Sequence, residues 1–498
     1  MKIIKKLNFK NNVFIFNTFL IVISGFIVKI LGLTNKIFIT RLLGTEGMTL
    51  YVLAFPTIIL FISLASFSLN VTTSKLIAEG LITKKYSPKK ILKASINLAL
   101  KTAFVIETLF LLIISFLVNN LLKTPNLFYP LLMTAFLIPI VGITDTLRGV
   151  FSGYQKMKTV ALVNIIEQVS RMLFSILGII ILSKYGIIIA VSSTILALSI
   201  GELASMIYLI VKIKKLSLEN YETENNEKKA VWEMAFPTTI SRLIGSFTYF
   251  LEPILNTFIL IYLGYNKKII DFDYTVINAY IIPMLTICVF LSNALSTTAV
   301  PAISEKASIN ETTKTFALID KIFFLSLVPG VIITILLYNY PKDFLNLFFS
   351  TTVGHSYIKK YVIVFLFHYI QSPGIAILQA LGKSKQVLLI CSIFNILKLM
   401  LIIALAFIPF IGSYTLFYAI IIVMVMETFT IWFFIYKIVK YVPNNNTLFN
   451  LLIISIFIFV FTLFLNLILS NFIIKSVLIC IFYLFLIIKF KILHIKAK

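Results

Sequence analysis

Nine ionisable residues stand inside long apolar runs of this sequence: Lys29, Glu107, Glu167, Arg171, Glu202, Arg242, Glu252, Lys398 and Glu427. A charge in such a run is costly. It either pairs with another or lines a wet path for an ion or a polar substrate. Arg171 and Lys398 stand out. Each follows, by the same interval, a valine that opens its run, Val160 and Val387. At about 1.5 Å per residue that interval is about 16 Å, near the middle of a hydrocarbon core about 30 Å thick. Glu167 precedes Arg171 by one helical turn, the favourable order for an ion pair. A neutralised structural pair therefore competes with a ligand role for Arg171. Lys398 has Phe394 at the matching place and no acid one turn before it.

Lys29 and Lys36 share nearly one helical face, while Arg41 points elsewhere. Lys36 and Arg41 approach the end of their run, where long cationic side chains reach the interface. Arg242 occupies the corresponding region of the second half of the chain. Cations from four spans would form a chamber for an anion, phosphate above all, because ammonium and guanidinium groups replace its lost hydration. The acids Glu107, Glu167, Glu202, Glu252 and Glu427 would then balance these cations or carry a coupling ion or proton.

The elements that must position these residues are membrane helices. Of 498 residues, 60% are hydrophobic and only 13% charged, against about 25% charged in ordinary soluble domains. Spanning helices need about 20 apolar residues each, and the chain reads as an all-α polytopic membrane protein with about fourteen of them. Residues 1–215 hold spans one to six as an N-terminal lobe. Residues 216–229 form a polar cytoplasmic linker, residues 230–440 hold spans seven to twelve, and residues 441–498 hold spans thirteen and fourteen. Lys2, Lys5, Lys6 and Lys10 precede the first span, which is too long for a signal-peptide core. Lys84, Lys85, Lys89, Lys90, Arg148, Lys156, Lys158 and the Lys489–Lys498 tail fall in loops on one side. The positive-inside rule makes that side, and both termini, cytoplasmic.

The halves repeat. KMKTVALVNIIEQVSRM at 156–172 aligns with KSKQVLLICSIFNILKL at 383–399, pairing Arg171 with Lys398. The same offset pairs Pro56 with Pro283. An even number of spans separates the copies, so the repeats are parallel, related by an axis along the membrane normal.

Several function classes drop out. The formal net charge of +25 comes from lysines flanking apolar runs, not from a basic face, so nucleic acid is not the partner. Cys288, Cys391 and Cys480 stand singly, and the three histidines are scattered, so neither a disulfide framework nor a metal site is expected. There is no G-x-S-x-G elbow, no Walker loop and no H-E-x-x-H motif. The expectation is a transporter, not an enzyme, that works without a cofactor and without an ATPase domain of its own.

Certain segments look familiar. VKILGLTNKIFITRLLGTEGMTLYVLAFP at 28–56, TTSKLIAE at 72–79, RGVFSGYQKMKTVALVNIIEQVSR at 148–171 and LQALGKSK at 378–385 resemble the stage V sporulation protein B family. That family groups with the oligosaccharide and lipid II flippases. The resemblance implies a bilobed transporter that moves a lipid-linked sugar pyrophosphate across the cytoplasmic membrane by alternating access, with cell-wall synthesis proteins as partners. It passes the pyrophosphate-holding role to Lys29, Lys36 and Arg41. Related flippases often carry arginine in span eight, and span eight here has none. Two rivals remain at this stage. One is multidrug and toxin extrusion on the same architecture, whose mostly cationic substrates suit a positive chamber poorly. The other is a non-transporting scaffold for cell-wall synthesis.

Overall fold

The computed structural model describes residues 13–222, 226–308 and 312–490. The lysines before the first span, the end of the basic tail and part of the linker lie outside the described residues. All regular structure among the described residues is helical, and the chain divides into two compact units, Met1–Thr275 and Val276–Lys498.

The first unit contains α1 (Val13–Ser66), α2 (Leu69–Thr83), α3 (Pro88–Phe116), α4 (Phe128–Leu132), α5 (Ile138–Gly153), α6 (Met157–Leu182), α7 (Ile187–Ile213), α8 (Glu227–Tyr262) and α9 (Lys267–Thr275). Drawn straight, a helix as long as α1 would run about 80 Å, far beyond a core about 30 Å thick. It is not straight. Gly44 leaves helical geometry at φ 63°, ψ −171°, a conformation open essentially to glycine alone. A second break follows at Phe67 and Ser68, both with positive φ. Gly142, Gly149 and Gly153 line one stripe of α5, and a Cβ at any of them would collide with α2 or with the segment just before it. Small residues at such a stripe let helix backbones approach where lipid gives no hydrophobic drive. The linker is tied to this unit as well. Tyr221 Oη donates to the carbonyls of Gly80 (2.5 Å) and Tyr86 (2.8 Å). Lys84 Nζ meets Glu219 at 2.6 Å, and that bond raises the Lys84 pKa.

The second unit contains α10 (Ile282–Leu285), α11 (Val289–Ser308), α12 (Thr312–Asn339), α13 (Pro341–Phe349), α14 (His355–Tyr361), α15 (Leu366–Ala380), α16 (Ser384–Ala406), α17 (Thr415–Val439), α18 (Asn445–Ile468) and α19 (Phe472–Lys489). The hairpin α18–α19 packs on α12 through Phe324, Ile454, Ile458, Ile479 and Tyr483. Tyr483 Oη donates to the Val328 carbonyl at 2.9 Å, fixing the register.

The expected count of about fourteen spans is not settled by helix length and composition. Eleven described stretches are long and apolar enough to cross a membrane, or twelve if the 62° bent pair α14–α15 forms one span. One of the eleven, Ile23–Thr83, contains the Gly44 break. The eighth span, expected near 275–299, is not one helix. A π-turn at Val276–Ile281 and the short α10 precede α11. Pro283 accounts for this, since it has no N–H to continue the ladder and its ring crowds the preceding turn.

Gly44→Val should be strained at this φ, with a cost of about 1–3 kcal/mol. Thermal melts in detergent should show a clear drop in Tm, with little change for Gly25→Ala, whose Cβ meets nothing within 4 Å. Equal melting of both variants would contradict the break.

Candidate functional site

The first unit gathers several of its deep charges on three helices. Arg148 of α5 sends Nη2 to Glu167 Oε2 of α6 at 2.6 Å, and the same nitrogen lies 3.4 Å from Glu202 Oε1 of α7. Arg171, one turn beyond Glu167, bonds the other oxygen of that carboxylate. Two guanidinium groups thus meet two carboxylates, and side-chain exposure falls to 14% for Arg148 and 8% for Glu202. Asp145, one turn before Arg148, accepts from Ser66 Oγ at the end of α1 and feels the charges of Arg148 and Arg242. Gly201 makes the assembly possible, because a Cβ there would sit 2.9 Å from the Glu167 carbonyl and 3.2 Å from Arg171 Cβ. The first part of α1 docks beside this cluster. Ser175 Oγ donates to Asn35 Oδ1 at 2.8 Å, and Gly32 faces the Gln168 amide.

The second unit repeats the plan on α15, α16 and α17 with other chemistry. Gln371 Nε2 donates to Glu427 Oε2 at 2.8 Å. His368 Nδ1 lies 2.8 Å from Gln371 Oε1, which assigns that nitrogen the proton. The Cys391 thiol donates to Glu427, and Lys398 lies within the field of the same carboxylate.

The sequence-derived residues therefore separate. Arg171, Glu167 and Glu202 come together, and so do Lys398 and Glu427. Lys398 does have an acid nearby, supplied by the adjacent helix and not by its own. Lys29, Arg41 and Arg242 are exposed, and Lys36 is half-buried beside Asn35. Glu107 is half-buried on α3. Glu252 is buried, and its charge acts on Tyr249 and Tyr274. Arg148 is a correction. It was expected in a loop, but it sits more than a turn inside α5 and ties three helices together. Asp145 escaped notice with it. Their spacing, Asp145-x-x-Arg148 just ahead of the Gly153–Lys156 turn, was the available signal.

This geometry fits what the chain resembles. The family model "Polysaccharide biosynthesis protein" matches residues 14–305. Stage V sporulation protein B of Bacillus subtilis is 30% identical over 408 residues, covering 80% of this chain and 79% of that protein. The chain belongs to the polysaccharide biosynthesis protein family. The lipid II flippase MurJ of Bacillus subtilis is 24% identical over 429 residues, covering 77% of this chain and 76% of that one. Among solved structures, a lipid II flippase MurJ in an inward closed conformation covers 95% of this chain and 99% of its own, with TM-score 0.69 and 15% identity. An inward-facing multidrug transporter of the MATE family covers 84% of this chain and 98% of its own, with TM-score 0.61 and 14% identity. These structural likenesses establish the fold: a multi-pass helical membrane protein of the flippase and MATE architecture.

Arg148→Ala would strip Glu167 and Glu202 of a shared counter-charge. Breaking a buried pair on one side costs about 3–5 kcal/mol. Yield and Tm in detergent should fall sharply and recover in Arg148→Ala/Glu202→Gln, which keeps Glu167–Arg171 neutral. A double variant no better than the single would argue against the balance.

Proposed function

We propose that this protein flips a lipid-linked sugar precursor, with an undecaprenyl-pyrophosphate-type anchor, across the cytoplasmic membrane by alternating access. The observation that carries this reading is the division among the cations. Arg148 and Arg171 are spent on carboxylates. Lys29 on α1 and Arg242 on α8 are exposed, on helices that pack against each other within one unit. Exposed cations at membrane depth are hard to account for unless water or a polar anion reaches them. A diphosphate offers the charge and oxygen geometry they suit. Lys36 and Arg41, on the same helix as Lys29, would complete the site. Glu427, with its Gln371–His368 relay, would carry the ion or proton that resets the cycle.

The names of the relatives support this assignment. One is a stage V sporulation protein and another a lipid II flippase, which favours a precursor of the spore cortex or cell wall. By the positive-inside rule, the loop charge bias favours a cytoplasmic location for both termini.

Loss of a charge-assisted hydrogen bond worth about 1.5–3 kcal/mol corresponds to about ten- to a hundredfold weaker binding. Lys29→Ala and Arg242→Ala should each lower transport of a fluorescent polyprenyl-pyrophosphate sugar in liposomes by about that factor, with unchanged Tm. Wild-type transport in both variants would refute the reading.

A further inference from the structure

A cavity of about 1040 Å³ lies between the start of α3 and the start of α8, and none of the first unit's clustered charges lines it. Lys89, Lys90 and Lys93 from the first turns of α3 line it, and Lys228 from the first turn of α8 faces them. Glu227 also lines the cavity; it is buried, and its Oε1 accepts from the Ser87 backbone N–H at 3.4 Å. Four lysines against one acid leave the wall net basic. Below it the same stripe of α3 turns apolar. Asn97 is followed by Leu100 and then Phe104, 51% and 72% exposed.

Depth identifies the setting. With 29 residues, α3 is about 44 Å long, so about two turns exceed a core about 30 Å thick. One turn past Lys228, Trp232 stacks between Phe67 and Phe236 at centroid distances of 5.6 and 5.3 Å. An exposed tryptophan in such a stack marks the level of the lipid headgroups. Basic pockets between helices at that level recognise lipid phosphates, and a cavity of this volume has room for a glycerophosphate with the start of its chains.

We infer that this cleft binds the phosphate headgroup of an anionic phospholipid, with an acyl chain lying along Leu100 and Phe104. A soluble phosphate would use the lysines but leave the apolar stripe idle. The site is separate from the proposed flipping path and stands whether or not that proposal holds.

The test is native mass spectrometry of the full chain released from micelles holding equal phosphatidylglycerol and phosphatidylcholine. The wild type should retain phosphatidylglycerol preferentially, and Lys89→Ala/Lys93→Ala/Lys228→Ala should lose at least tenfold of that preference. Lys437→Ala/Lys440→Ala, which removes two lysines elsewhere, should keep it. The single reversal Lys93→Glu, a milder change to the fold, should also weaken retention. Equal retention by wild type and both α3 variants would overturn the inference. So would displacement of phosphatidylglycerol by inorganic phosphate alone, which would mark a site for the free anion.

Discussion

The requirement that charge inside a lipid-bathed helix bundle be matched where it lies shapes the centre of the first unit. Glu167 meets it by receiving two guanidinium groups, one on each oxygen, and Glu202 completes the balance. Removal of either acid would leave a cation in a medium that cannot solvate it. The match holds only if α5, α6 and α7 keep one register. Gly201 secures that register by letting α7 approach α6 at the level of the pair. The interaction thus acts as both an electrostatic solution and a packing constraint.

The second unit inherits the helices but not the pairing. Where the first unit has Glu167, the second has Phe394, and the arginine one turn later has become Lys398. The counter-charge then has to come from across the helix interface. Glu427 supplies it, held by Gln371 and Cys391. Neutral hydrogen-bond partners replace the second guanidinium, so this network is less rigidly committed than its counterpart. A carboxylate among neutral donors can change protonation at lower cost than one locked between two arginines. The proposal of an ion or proton at Glu427 rests on that asymmetry.

Legibility varied with the range of the interaction. The membrane class, the all-helical fold and the repeat follow from apolar runs and from one offset, which are local properties. The Glu167–Arg171 pair was visible because both partners sit one turn apart on one helix. Arg148 was not, because its proximity to the basic loop at Lys156 suggested interface and its partners lie on two other helices. The eighth span was misread for a related reason. Its apolar composition was right, but Pro283 divides the segment into a π-turn and two helices, and composition carries no information on ladder continuity. The linker read only as a polar cytoplasmic segment, and its composition did not show that Tyr221 and Glu219 fasten it to the α2–α3 turn.

By itself the sequence determined the solvent of this protein, its helical periodicity, its internal duplication and which residue types would be expensive to bury. Those follow from transfer free energies summed along the chain. Only the tertiary structure decided which of the expensive charges are neutralised and which stay exposed. That choice rests on distances between helices far apart in sequence, set where glycines permit close approach. It separates Arg171, bound to its acid, from Lys29 and Arg242, which remain exposed.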